Sequence, residues 1–105
     1  MISIDQIKEE LKEIKTYYAF NSKISDGAKL VGDNAVVSLI DKYNSAIRSA
    51  KANLYAAYII VYVKGLSHEE AAYQLHYSSQ HMERLLKNLF MYFKKTFEGG
   101  ARNAG

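Results

Sequence analysis

From Val36 onward the apolar residues recur at alternating steps of four and three without a slip: Val36, Ile40, Tyr43, Ile47, Ala50, Leu54, Ala57 and Val61. Such spacing lays one stripe along one face of an α-helix, and no proline anywhere in the chain interrupts it. The stripe predicts either one long helix ending near Lys64 or two helices with a joint near Asn53. Its heptad step suits an antiparallel helical hairpin or a dimeric coiled coil. The segment LYAAYIIVYV, residues 54–63, is apolar on its back face as well and contains several β-branched residues. Taken alone it could form a buried strand. The heptad phase runs into it unbroken, so we read it as helix, buried on two sides.

The N-terminal Ser3-Ile4-Asp5-Gln6 reads as a capping box, in which the Ser3 oxygen takes the Gln6 amide and Gln6 reaches back. Ile2 and Ile7 stand where a hydrophobic staple would be. Ile4, Ile7, Leu11, Ile14 and Tyr18 then mark an amphipathic helix to about Phe20, whose other face is lysine and glutamate. Residues 21–34, NSKISDGAKLVGDN, have no clear period and hold two glycines, so they read as a loop, with Asp33 able to cap the next helix. Gly65 ends the central helical region, with Lys64 at its negative end. Ser67 and Glu70 form a second capping box, opening a short helix to about Leu75. After a turn at His76-Tyr77, Ser78 caps a last helix, with Tyr77 and Met82 as its staple. Met82, Leu85, Leu86, Leu89, Phe90, Phe93 and Phe97 give that helix a broad apolar face to about Glu98, and residues 99–105 read as a flexible tail. The expected architecture is all-α. Residues 1–64 form a helical support or dimerisation segment, residues 65–98 a helix-turn-helix with an extended last helix, and 99–105 the tail.

A chain of 105 residues supports one small core. The absence of cysteine excludes disulfides, thiolate metal sites and a thiol nucleophile, and fits a reducing cytoplasm. The opening MISIDQIKEEL carries acids where a leader peptide needs a basic flank and an apolar run. The most apolar run, residues 54–63, is about half the roughly 20 residues a membrane span needs. A soluble cytoplasmic protein is expected. Residues 34–105 carry nine of the fourteen bases against five of the eleven acids, a mild excess compatible with an anionic partner.

The stretch GLSHEEAAYQLHYSSQHMERLLKNL, residues 65–89, holds its two helix starts eleven residues apart, at Ser67 and Ser78. A DNA-reading helix-turn-helix needs a short first helix and a small residue where the helices cross; Ala72, supported by Ala71, meets this. It needs apolar residues that pin the second helix to the first; Leu75, Met82 and Leu85 do so. It also needs polar side chains on the exposed start of the second helix. Ser79, Gln80, His81 and Arg84 stand there, with Lys87 one turn on. Gln suits adenine and Arg suits guanine by bidentate geometry, and the amides at the Ser78 end can meet a phosphate. His76 is off pattern, because the turn favours glycine where the backbone takes positive φ. Glu83 is unfavourable beside phosphates.

These residues resemble the region-4 helix-turn-helix of bacterial sigma factors. More closely, they resemble the phage and prophage transcriptional regulators of the autolysin-regulator (ArpU-like) type, with the pattern G-x-S-x-E-E-I-A-x-x-L-G-Y-S-x-x-T-V. Gly65, Ser67, Glu69, Glu70, Ala72, Leu75, Tyr77, Ser78 and Met82 match. Ala71 replaces the usual isoleucine, His76 the glycine and His81 the threonine. The resemblance spans roughly residues 54–93. It implies DNA-binding control of phage or mobile-element genes. No enzymatic activity and no cofactor are expected from the residues themselves.

Other readings compete. The unbroken stripe also fits a helical adaptor that binds a protein such as RNA polymerase or another regulator, and a phage DNA-packaging subunit would combine such a unit with an oligomerising helix. His68, His76 and His81 fall on two helices and a turn without a carboxylate at ligand spacing, so no metal site is expected. Nine tyrosines could stack on single-stranded nucleic acid, but Tyr43, Tyr58 and Tyr62 lie on or near the apolar stripes and read as core. Phe90 to Phe93 read mainly as core, with a helix–helix or homodimer contact beyond it. Lys94 and Lys95 suit either a phosphate contact or a solvated face. Neither a glycine-rich phosphate loop nor a paired-carboxylate pattern speaks for catalysis.

Overall fold

The computed structural model describes residues 2–22 and 34–103. It contains α1 (Ile4–Ser22), α2 (Asn34–Ile47), α3 (Ala52–Tyr58), which continues as a π-helical turn over Ile59–Val63, α4 (His68–Leu75) and α5 (Ser79–Asn103), with no strand among the described residues. The fold is all-α, as the periodicities predict. Of the expected loop at 21–34, residues 23–33, with the Asp33 cap, lie outside the described residues, as do 104–105; its ends are helical instead, Asn21 and Ser22 closing α1 past the expected Phe20 and Asn34 opening α2. No described helix is long and apolar enough to cross a membrane.

The stripe of the central region is buried as expected, but not on one helix. Ile40, Tyr43, Ile47, Leu54, Ala57 and Val61 are core residues, while Val36 and Ala50 pack at its edge. The helix breaks at residues 48–51, a few residues before the expected joint. The Ala50 amide donates to the Ile47 carbonyl (3.0 Å), and Lys51 takes an extended conformation to start α3. Neither glycine nor proline causes this break. A continuous helix over 36–64 would run about 43 Å in one line, whereas the described residues extend 39 Å along their longest principal axis. Breaking it lets both halves pack on α5, and tertiary burial overrides local propensity. The β-branched segment also departs from the plain α-helix. The Lys64 amide reaches back to the Ile59 carbonyl (2.8 Å), and the Leu66 amide to Ile60 (3.1 Å) once Gly65 has turned the chain at φ 78°. The stripe that suggested a coiled-coil partner is thus covered by the chain's own helices.

The core gathers around α5. The Phe93 ring is fully buried and meets Tyr43 edge-on (centroids 4.7 Å) and Tyr58 (5.8 Å), joining α2 and α3 to α5. The tyrosine hydroxyls then tie the helices together by polar bonds at the core edge. Tyr43 donates to Glu10 of α1 (2.6 Å), Tyr58 to Asn44 (2.7 Å) and Tyr92 to the Ala46 carbonyl (2.6 Å). The last of these satisfies a carbonyl that the end of α2 leaves without a helical partner. The Ser3 cap forms (3.1 Å to the Gln6 amide), but the Gln6 side chain donates to Glu10 rather than reaching back, so the first capping box is half built. Helix α5 runs to Asn103, beyond the Glu98 limit expected from sequence. Two glycines inside a helix cost about 1 kcal/mol each relative to alanine but do not break it as proline would.

Burial raises the hydroxyl pKa of Tyr43, Tyr58 and Tyr62, the last to about 12, and Glu10 adds to the effect at Tyr43. The fold therefore favours neutral tyrosines. Their contribution is complete below about pH 10, where unfolded tyrosine is neutral too, and is lost as pH rises above that value. Denaturant midpoints measured from pH 8 to 11.5 are expected to hold steady and then fall above pH 10. The slope is about 1.4 kcal/mol per pH unit for each of these tyrosines, and Tyr62→Phe should remove one such increment.

Candidate functional site

Helix α4 starts at a complete capping box. The Ser67 oxygen accepts from the Glu70 amide (3.1 Å), and the Glu70 carboxylate accepts from the Ser67 amide (2.9 Å), which holds that carboxyl below its ordinary pKa. Ala71 and Ala72 are buried where α4 lies on α5 and the π-helical turn. Small side chains there allow the two backbones to approach. Leu75 packs at the core edge, and Met82, Leu85 and Leu86 are buried on the facing side of α5.

The turn depends on His76, which takes the left-handed conformation (φ 61°, ψ 39°), the one non-glycine residue at positive φ among those described. The Tyr77 amide closes the turn on the Ala72 carbonyl (2.9 Å). The glycine-like geometry expected at this position is therefore present without the glycine. A histidine there bears a steric cost of roughly 1 kcal/mol.

Ser78, Ser79, Gln80, His81, Arg84 and Lys87 are all exposed. The Ser78 hydroxyl accepts from the His81 amide (3.1 Å), so this residue caps α5 as expected. Gln80, Arg84 and Lys87 follow one another at steps of four and three, which sets them on one outward stripe of α5. His81 stands apart from that stripe. Its ring stacks on Tyr77 (centroids 4.1 Å, 22° between planes), against the turn. Lys94 is engaged with Glu98 (2.8 Å), while Lys95 is exposed. The first turn of α5 contains no acidic residue, so nothing acidic in that turn offsets its positive dipole end. Among the described residues no three His, Asp or Glu side chains come together.

Sequence reasoning missed a groove beside this stripe. Lys8, Lys12 and Lys15 of α1 line it on one side and Lys87 and Glu83 of α5 on the other, and His68 also contributes to the lining. Tyr62, Leu86 and Phe90 supply apolar lining, and the Lys8 ammonium lies over the Phe90 ring (5.7 Å to the centroid). The signal was available. Lys8, Lys12 and Lys15 repeat at steps of four and three on one flank of α1, a pattern that reads as an ordinary solvated face until the packing of α1 against α5 is known.

Comparison of this chain with protein-family models, with curated proteins and with solved structures gives no match.

His76→Gly is expected to raise stability by about 1 kcal/mol, since only the strained side chain is removed. His76→Val should lower it, because a β-branched residue tolerates this conformation poorly. Thermal or urea unfolding of the two variants measures both effects.

Proposed function

We propose that this protein is a DNA-binding transcriptional regulator, of phage or mobile-element type, that reads duplex DNA with the exposed start of α5. The observation that carries the reading is the outward stripe Gln80, Arg84 and Lys87, presented by a helix whose opposite face is fixed in the core. A capped short helix, a crossing made by two alanines and a tight left-handed turn support it, since a recognition helix must be held at a defined angle to enter the major groove. In this reading Arg84 and Gln80 address base edges, Lys87 meets backbone phosphate, and the Ser78–Ser79 end offers amides to a phosphate. His81 acts through the turn, where its ring is already stacked, rather than as a base contact. A homodimer would place two such helices on a two-fold site. Its contact surface would have to lie outside the buried stripe of α2 and α3.

A second reading is an adaptor for a protein partner such as RNA polymerase. It draws on Tyr73 of α4, which is 84% exposed, and on the exposed Met91 of α5.

Fluorescence anisotropy with labelled duplexes, including DNA upstream of the protein's own gene, separates the two. A regulator binds one duplex more tightly than the rest, and all binding weakens steeply with salt. Arg84→Ala is expected to weaken the preferred duplex by about 1–3 kcal/mol and to flatten the preference, whereas Lys87→Ala weakens all duplexes alike. Absence of duplex binding at low salt rejects the regulator and favours the adaptor.

A further inference from the structure

The groove between α1 and α5 has a chemistry that the recognition stripe alone does not use. Three ammonium groups, Lys8, Lys12 and Lys15, line its α1 wall, and Lys87 stands across from them on α5. Among the described residues none of the four has an ion-pair partner, the pair formed there being Lys94–Glu98. Glu83 is the single carboxylate in the lining. Glu9 and Glu13 flank Lys12 on the adjoining side of α1, but the groove itself holds four lysines against one carboxylate, a local positive excess that favours an external polyanion.

The shape of the array selects the kind of anion. Lys8, Lys12 and Lys15 are spaced along about 10 Å of helix. A compact phosphate group would be met by convergent donors, whereas a row matches a charge repeated along a line. One DNA strand presents a phosphate about every 3.4 Å of axis, so the row spans about three. The row is also continuous with the outward stripe of α5, because Lys87 belongs to both.

We propose that the lysine row of α1 is a backbone clamp: it binds the phosphates of the duplex flanking the segment that α5 reads. The inference rests on the duplex-binding reading above. It gives α1 a direct role in binding, where the sequence suggested only support or dimerisation. The clamp makes no base contact, so it sets affinity and salt dependence but not sequence preference.

The test is a Lys8→Gln/Lys12→Gln/Lys15→Gln variant of the full chain, titrated with the preferred and a scrambled duplex across a salt series, beside the parent, Arg84→Ala and the exposed control Lys51→Gln. The clamp predicts that the slope of log K against log salt falls in magnitude by about 2–3 and that affinity drops about 10- to 100-fold near 0.1 M salt. Both duplexes should be affected alike, with the ratio between them kept. The corresponding triple Lys→Arg variant should retain the parent slope, and Lys51→Gln should match the parent. An unchanged slope and affinity in the triple variant, with Arg84→Ala still impaired, rejects the clamp and leaves the regulator standing. A variant that loses binding to heparin but keeps duplex binding also rejects it. If the parent binds no duplex at about 50 mM salt, both readings fail together. Should the triple variant fold poorly by circular dichroism, Lys12→Gln/Lys15→Gln keeps the Lys8–Phe90 contact and should reduce the slope by about 1–2.

Discussion

The contact on which this structure turns is Phe93 of α5 against Tyr43 and Tyr58. One fully buried ring holds two tyrosines from two helices at edge-to-face distances, a geometry that adds to simple area burial. Because Tyr43 and Tyr58 lie on opposite sides of the break at 48–51, Phe93 fixes where each half of the central stripe ends up. The hydroxyls of the same two tyrosines extend the arrangement outward, to Glu10 on α1 and Asn44 on α2. Each tyrosine thus contributes a ring to the core and a hydrogen bond at its edge. Removal of Phe93 would loosen the contacts of both α2 and α3 with α5 at once.

From this centre the candidate site takes its position. Helix α5 spans about 37 Å at the α-helical rise, nearly the full 39 Å extent of the molecule. Its C-terminal half is held by α1, α2 and α3, and its N-terminal end carries α4 through Ala71, Ala72, Met82 and Leu85. The outward stripe of Gln80, Arg84 and Lys87 therefore sits on a rod anchored at several points. Under the proposed reading such fixation favours binding, since every degree of freedom lost on binding lowers affinity.

Much of this was legible in the residues. The Ser67–Glu70 capping box, the Ser78 cap, the buried alanines and the left-handed turn at residue 76 all arise from local chemistry within a few positions, and each is present. The positions of the buried stripe from Ile40 to Val61 were readable from their steps of three and four. The break at 48–51 was not, because Arg48, Ser49, Ala50 and Lys51 carry no breaker and only the packing of both halves on α5 requires it. The π-helical turn at Ile59–Val63 has the same character. The β-branched residues there are compatible with a strand, the unbroken heptad phase favours helix, and tertiary contacts set its π-helical form. The groove of Lys8, Lys12, Lys15 and Lys87 escaped for a different reason. It joins residues more than seventy positions apart, and a row of lysines on one helix has no meaning until its neighbour is placed.

The two faces of α5 do separate work. Met82, Leu85, Leu86, Leu89 and Phe93 are at most 3% exposed and hold the molecule together. The side chains of Gln80, Arg84 and Lys87 project from the same helix and make no hydrogen bond or ion pair with the described residues around them. Changes on the outer face therefore leave the core untouched. The outer stripe is thus a set of positions open to substitution with little cost in stability, so its chemistry can change while the fold that presents it stays the same.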